Sequence, residues 1–135
     1  MANQVFIDTS AFKALLDEND DFNKKADIKI KELIAQGCEL VTSNYVVDET
    51  ATLIRIRCGL KKALLFKEYL TESEPMINIY RITIKDEMEA WKWFDKNWSG
   101  LSYTDCVSFA MMKRLGITKY FGFDNHFDRA GYERV

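Results

Sequence analysis

Val5-Phe6-Ile7-Asp8-Thr9-Ser10 places three consecutive large apolar residues immediately before a carboxylate near the start of the chain. A short apolar run with a polar stop reads as a strand buried on both faces, and Ser10 to Leu16 then predicts a first helix. Such a strand needs helices above and below it, and parallel neighbours need crossover connections, so the rest of the chain should alternate strand and helix.

It does. From Asp21 onward Phe22, Ala26, Ile30, Leu33 and Ile34 recur at helical spacing until Gly37. Leu40-Val41 predicts a second strand. Ser43 or Asn44 caps a helix through Tyr45, Val46, Glu49, Leu53 and Ile56 that stops at Gly59, and another helix carries Leu60, Leu64 and Leu70 up to Pro75. Met76 to Ile82, rich in β-branched and aromatic residues, predicts a third strand. Thr83-Ile84-Lys85-Asp86 and Ser102-Tyr103-Thr104-Asp105 each read as a capping box opening a helix, the second ending near Gly116. Tyr120-Phe121-Gly122-Phe123 predicts a fourth strand ending at Asp124, and Tyr132 to Val135 a short fifth. The expected fold is α/β: a three-layer α/β/α sandwich on a mainly parallel sheet of about five strands, one domain over residues 1–135. Ligands of such sheets bind outside the carboxyl ends of the strands, where the strand order reverses.

The chain has 135 residues, nearly half of them apolar, enough for one buried core. Lys and Arg almost balance Asp and Glu, and the formal charge of −2 excludes a generally basic nucleic-acid coat protein. Cys38, Cys58 and Cys106 are odd in number and lack metal-ligand spacing, so they read as reduced, buried thiols. No basic leader precedes an apolar run, and no uncharged stretch approaches the roughly 20 residues of a membrane span, so a cytoplasmic protein is expected.

Four acids stand where acids are costly. Asp8 and Asp124 are each the first charged residue after an apolar strand, so each either projects from the carboxyl edge of the sheet or caps the next turn. Glu49, with Tyr45, Val46, Leu53 and Ile56 around it at helical spacing, falls on an apolar stripe, while Asp48 turns toward Arg55. Asp105 repeats the pattern with Leu101, Phe109 and Met112, although its capping box is a structural reason of its own. If all four gather, each close pair repels by roughly 4 kcal/mol at ~4 Å with an effective dielectric of about 20, and a bound cation removes that cost. Oxygen ligands without His or Cys select Mg²⁺ or Mn²⁺ over zinc. The Ser/His/Asp and Cys/His arrangements of covalent hydrolases are missing from the sequence, as are glycine-rich phosphate loops.

With Phe6-Ile7-Asp8-Thr9-Ser10, Val46-Val47-Asp48-Glu49-Thr50, Leu101-Ser102-Tyr103-Thr104-Asp105 and Phe121-Gly122-Phe123-Asp124-Asn125-His126-Phe127 in this order, the chain resembles the PIN domain over essentially its full length. The likeness is to the small VapC-type toxins of toxin–antitoxin pairs. The resemblance implies an endoribonuclease holding Mg²⁺ or Mn²⁺ through Asp8, Glu49, Asp105 and Asp124. Ser10 and Thr104 fall where that family has hydroxyl residues supporting the carboxylates, and Asp128 is either an outer acid or an exposed helix residue. The resemblance also implies an RNA substrate, a protein antitoxin and a homodimer. Arg55, Arg57, Lys61 and Lys62, clustered after the Glu49 helix, read as RNA-phosphate contacts or as a solvated helix end. Trp91, Trp93 and Trp98 offer base-stacking surfaces, but the spacing of Trp91 and Phe94 predicts core packing and a dimer surface instead. His126, the sole histidine, reads as a neutral structural residue ahead of a general base. An RNA-processing nuclease without an antitoxin and an inactive RNA- or protein-binding PIN module are the alternative readings.

Overall fold

The computed structural model describes residues 3–72 and 76–135, so the helix stop expected at Pro75 lies outside the described residues. The elements run β1 (Gln4–Ile7), α1 (Thr9–Leu16), α2 (Asn23–Ala35), β2 (Glu39–Ser43), α3 (Asn44–Cys58), α4 (Leu60–Glu72), β3 (Ile77–Tyr80), α5 (Ile84–Phe94), α6 (Tyr103–Leu115), β4 (Lys119–Phe121), α7 (His126–Arg129) and β5 (Glu133–Arg134). The strands form one sheet in the order β3-β2-β1-β4-β5, and every pairing is parallel. The expected α/β/α architecture therefore holds, with a sheet that is wholly parallel among the described residues.

Burial follows from the strand sequences. Val5, Phe6 and Ile7 are all buried, as a central strand covered on both faces requires. Phe6 stacks on Phe127, which also meets Phe109 and Tyr120, while Phe12 of α1 meets Phe66 and Tyr69 of α4. Two strands, β3 and β4, end earlier than expected for local reasons. Ile82 leaves the β3 ladder because its N–H donates to Asn44 Oδ1 at 2.8 Å. Phe123 leaves β4 because its N–H donates to Ser10 Oγ at 2.9 Å.

Three readings are corrected. Trp91 and Phe94 do not fill the core: they are 58% and 44% exposed, because α5 turns Asp86, Ala90 and Trp93 inward instead. Ile56 does not share a buried stripe with Glu49 and is 76% exposed; the buried residues of α3 are Val46, Thr50 and Ile54, leaving Glu49 and Leu53 on the flank of that stripe. Cys58 is only half-buried, although all three thiols are free. Among the described residues no helix is long and apolar enough to cross a membrane.

Candidate active site

From β1 the chain steps to β2 and β3 on one side, and β4 and β5 lie on the other. The strand order therefore reverses between β1 and β4, and at that point a crevice opens at the carboxyl ends. Asp8 ends β1 and Asp124 follows β4, so adjacent strands deliver both to one place. Glu49 comes from the second turn of α3 and Asp105 from the first turn of α6. All four line one open cleft of about 280 Å³, together with Thr9, Ser10, Lys13 and Ser102.

Three of the four carboxylates are held by local geometry. Asp8 is the N-cap of α1, and its Oδ2 accepts from the Ser10 hydroxyl at 2.8 Å. The same Ser10 oxygen accepts the Phe123 N–H, which ties β4 to β1 through the carboxylate. Asp105 closes its capping box: its N–H donates to Ser102 Oγ at 3.0 Å and its Oδ2 accepts the Ser102 N–H at 3.2 Å. Asp124 Oδ1 accepts the His126 N–H at 2.8 Å.

The electrostatics are strained. Asp8 and Asp105 are only 3% and 5% exposed. Burial pushes the Asp8 carboxyl up to about 6 against the pull of the Ser10 hydroxyl, with repulsion from Asp124 and Glu49 adding to the rise. Burial pushes Asp105 up to about 8, helped by Asp8, Asp124 and Glu49. For His126, burial is outweighed by the Ser99 carbonyl and by Asp124 and Asp105, and the net shift is upward. Its Nε2 lies 2.8 Å from the Ser99 carbonyl, which only accepts, so Nε2 carries a proton and Nδ1 faces the acids. That Nδ1 lies 2.8 Å from Asp124 and 3.5 Å from Asp105, yet it is not aligned for a hydrogen bond to either and is left without a partner.

A divalent cation fits these residues. His126 Nδ1, buried and without a hydrogen-bond partner, faces Asp124 and Asp105, and Thr9, whose buried hydroxyl is also without a partner, lines the same cleft. One ligand atom each from Asp105, Asp124 and His126 lies within 4.8 Å of the others. Mutual repulsion among hard oxygen donors is the situation a cation relieves.

The other predicted residues are placed less centrally. Ser10 supports Asp8 as expected. Thr104 shares a shallow surface hollow with Glu49 and Arg57, and its carbonyl accepts from Ser108; Ser102, not Thr104, holds Asp105. Asp128 accepts from the Tyr120 hydroxyl at 2.7 Å, pairs with Arg134 and does not line the cleft. Arg55 and Lys61 are exposed, and Lys62 pairs with Glu18, so only Arg57 of that cluster borders a site acid. Sequence reading missed Lys13, among the described residues the one basic side chain lining the acidic cleft, held at 3.0 Å by both Asp17 and Asp20. Its place one turn after Thr9 on α1 was the available signal.

Comparison with known proteins agrees with this geometry. The sequence profile described as PIN domain matches residues 5–132. The chain is 32% identical over 133 residues to the 23S rRNA-specific endonuclease VapC20 of Mycobacterium tuberculosis, covering 97% of each. The crystal structure of that species' VapC20, described as a sarcin–ricin loop cleaving toxin, superposes with a TM-score of 0.83 at 31% identity, over 97% of this chain and 98% of that one. FitAcB from Neisseria gonorrhoeae shares the fold at a TM-score of 0.69 and 15% identity, over 97% of this chain and 96% of that one. A match along nearly the whole length, by sequence and by structure, places this chain in the PIN domain family.

Proposed function

We propose that this protein is a metal-dependent endoribonuclease, the toxin of a toxin–antitoxin pair, and that the whole chain acts as one nuclease domain in the cytoplasm. One observation carries the reading: four acids from four separate segments converge in one cleft at the switch point of the sheet, and two of them are held well above the usual carboxylate range.

Asp8, Glu49, Asp105 and Asp124 are the residues that would hold Mg²⁺ or Mn²⁺. When bound, such an ion lowers the pKa of a water and neutralises charge on a scissile phosphate. The Ser10 and Ser102 contacts fix the Asp8 and Asp105 carboxylates in place before substrate arrives, so little reorganisation remains at the moment of reaction. The bond of Asp124 to the His126 N–H fixes a third. Lys13 brings an ammonium to the cleft wall but shares it with Asp17 and Asp20, so Arg57, which has no ion pair among the described residues and borders Glu49, offers the RNA backbone the freer positive charge. No protein nucleophile is needed, which agrees with a cleft walled by carboxylates, hydroxyls and a single lysine.

Because VapC20 is a 23S rRNA-specific endonuclease and a sarcin–ricin loop cleaving toxin, that loop is the first RNA to test. Incubation of that fragment with protein and Mg²⁺, wild type beside Asp8→Asn and Asp105→Asn, should give cleavage only in the wild type and none in EDTA. Cleavage by Asp105→Asn at the wild-type rate refutes the site. A basic segment of a partner antitoxin is the complement of the acidic cleft, and the exposed Trp91 and Phe94 face of α5 is the surface for a second copy of the chain.

A further inference from the structure

We infer that the cavity beside the acidic cleft, floored by Phe22 and Phe123, holds an unpaired RNA nucleotide next to the scissile phosphate. This inference rests on the ribonuclease reading and names where the substrate strand lies.

The cavity of about 380 Å³ forms where the start of α2 meets the ends of β4 and β5, and its volume is that of a small-ligand pocket. Phe22 and Phe123 stack with centroids 4.4 Å apart and planes within 7°, and Phe22 is left 40% exposed. A flat aromatic pair open to solvent is a platform on which a base of any identity stacks.

The charge around it points the same way. Lys25, Lys29 and Arg134 line the cavity and no acidic side chain does, in a protein of net charge −2. The cavities beside Glu18 and Asp27, beside Asp86 and Glu89, and beside Asp48 and Glu49 all include acidic side chains. Lys29 is shared with Glu32 and Arg134 with Asp128, while Lys25 stands 5.8 Å over the Phe22 ring and has no ion pair among the described residues. Aromatic floor and cationic rim together match a nucleotide, base on ring and phosphate on ammonium.

The cavity is joined to the acids by its own backbone. Gly122 lies on its wall and against Asp8, and the Phe123 N–H donates to the Ser10 hydroxyl that holds the Asp8 carboxylate. Phe123 is followed directly by Asp124. A strand with one base on Phe22 and Phe123 is thereby led into the acidic cleft.

The test uses a single-stranded RNA oligonucleotide carrying 2-aminopurine, titrated in calcium buffer into wild type, Phe22→Trp, Phe22→Leu and Lys25→Glu. Wild type and Phe22→Trp should quench the probe on binding. Phe22→Leu keeps apolar bulk but loses the ring, and it should lose the quench and about tenfold in affinity, as should Lys25→Glu, the scale of one stacked base. In Mg²⁺ the two weakened variants should raise KM by the same factor and keep kcat, because uniform binding is what they lack. Matching thermal melts for all four proteins exclude misfolding as the cause. Equal binding and quenching by Phe22→Leu, or no binding of the probe by wild type, overturns the inference. If the variants show the expected binding pattern while wild type cleaves no RNA, the nucleotide site stands and the ribonuclease reading falls.

Discussion

A Cβ on Gly122 would stand 3.0 Å from the Cβ of Asp8 and 3.2 Å from its Oδ2. The end of β4 passes the start of α1 so closely that a side chain there would require Asp8 and the Ser10 hydroxyl, 3.2 Å from the same point, to give way by a few tenths of an ångström. Gly122→Ala should therefore cost about 1–3 kcal/mol in urea unfolding, the usual cost of overpacking. It should also lower RNA cleavage by at least about tenfold, because the displaced carboxylate is one that must be positioned. A variant with wild-type stability and turnover would show that this contact is slack.

The raised carboxyls set the pH dependence of the metal-free protein. Asp105 keeps its proton up to about 8 in the folded state and releases it near 3.8 when unfolded, so between those values the native state binds more protons. Stability in EDTA should fall as pH rises from 4 to 8. Asp8, pushed up to about 6, contributes to the lower half of that fall, and His126, also raised, loses its favourable charge in the same direction. Added Mg²⁺ or Mn²⁺ should flatten the decline. At pH 8 in EDTA, Asp105→Asn should melt higher by several degrees, each kcal/mol relieved shifting the midpoint by roughly 3–6 °C at this size. A metal-free protein that gains stability between pH 5 and 8 would sink this account.

The two capping boxes show how far sequence reading reaches. Thr83 with Asp86 and Ser102 with Asp105 are the same local signal, and both boxes form. What separates them is distant in the chain. Arg114 reaches Asp86 with Nε at 2.9 Å and Nη2 at 2.8 Å, whereas beyond its own capping box Asp105 faces other acids and His126. Element order and the apolar strands were legible because alternation and capping are local. Asp8 and Asp124 were legible because each ends a strand. The α5 face was not, since a buried Asp86 turns the helix away from the orientation its aromatics suggest, and a long-range ion pair leaves no periodic trace. The Phe22 and Phe123 platform was equally hidden, being assembled from residues a hundred positions apart.

The Asp86 and Arg114 pair should behave as structure alone. Burial raises the Asp86 carboxyl, but the Arg114 guanidinium and the Thr83 bonds outweigh it and hold the group below its ordinary value. Its stabilisation is therefore present above the unfolded value of 3.8 and is lost as pH falls through the lower folded value. Asp86→Ala should cost about 2–3 kcal/mol, less than a wholly buried pair because Arg114 is about a third exposed. Cleavage at saturating Mg²⁺ and a temperature where the variant is folded should stay near wild type. A large loss of turnover there would assign the pair a role in the site.

Helix α5 leaves an apolar surface uncovered. Ile84, Met88, Trp91 and Phe94 recur along one side of the helix and are all exposed, and the Trp91 ring packs against those of Phe94 and Tyr103. A stripe of four large apolar side chains is more than a soluble monomer ordinarily leaves in water, and a second copy of the same stripe is its simplest complement. Light scattering after size exclusion should give a dimer, with a melting temperature that rises with protein concentration. Trp91→Glu should give a monomer, because two copies would bring like charges together in an apolar contact. Trp91→Phe should remain a dimer, and a wild type that stays monomeric at every concentration tested would leave the stripe to a different protein partner.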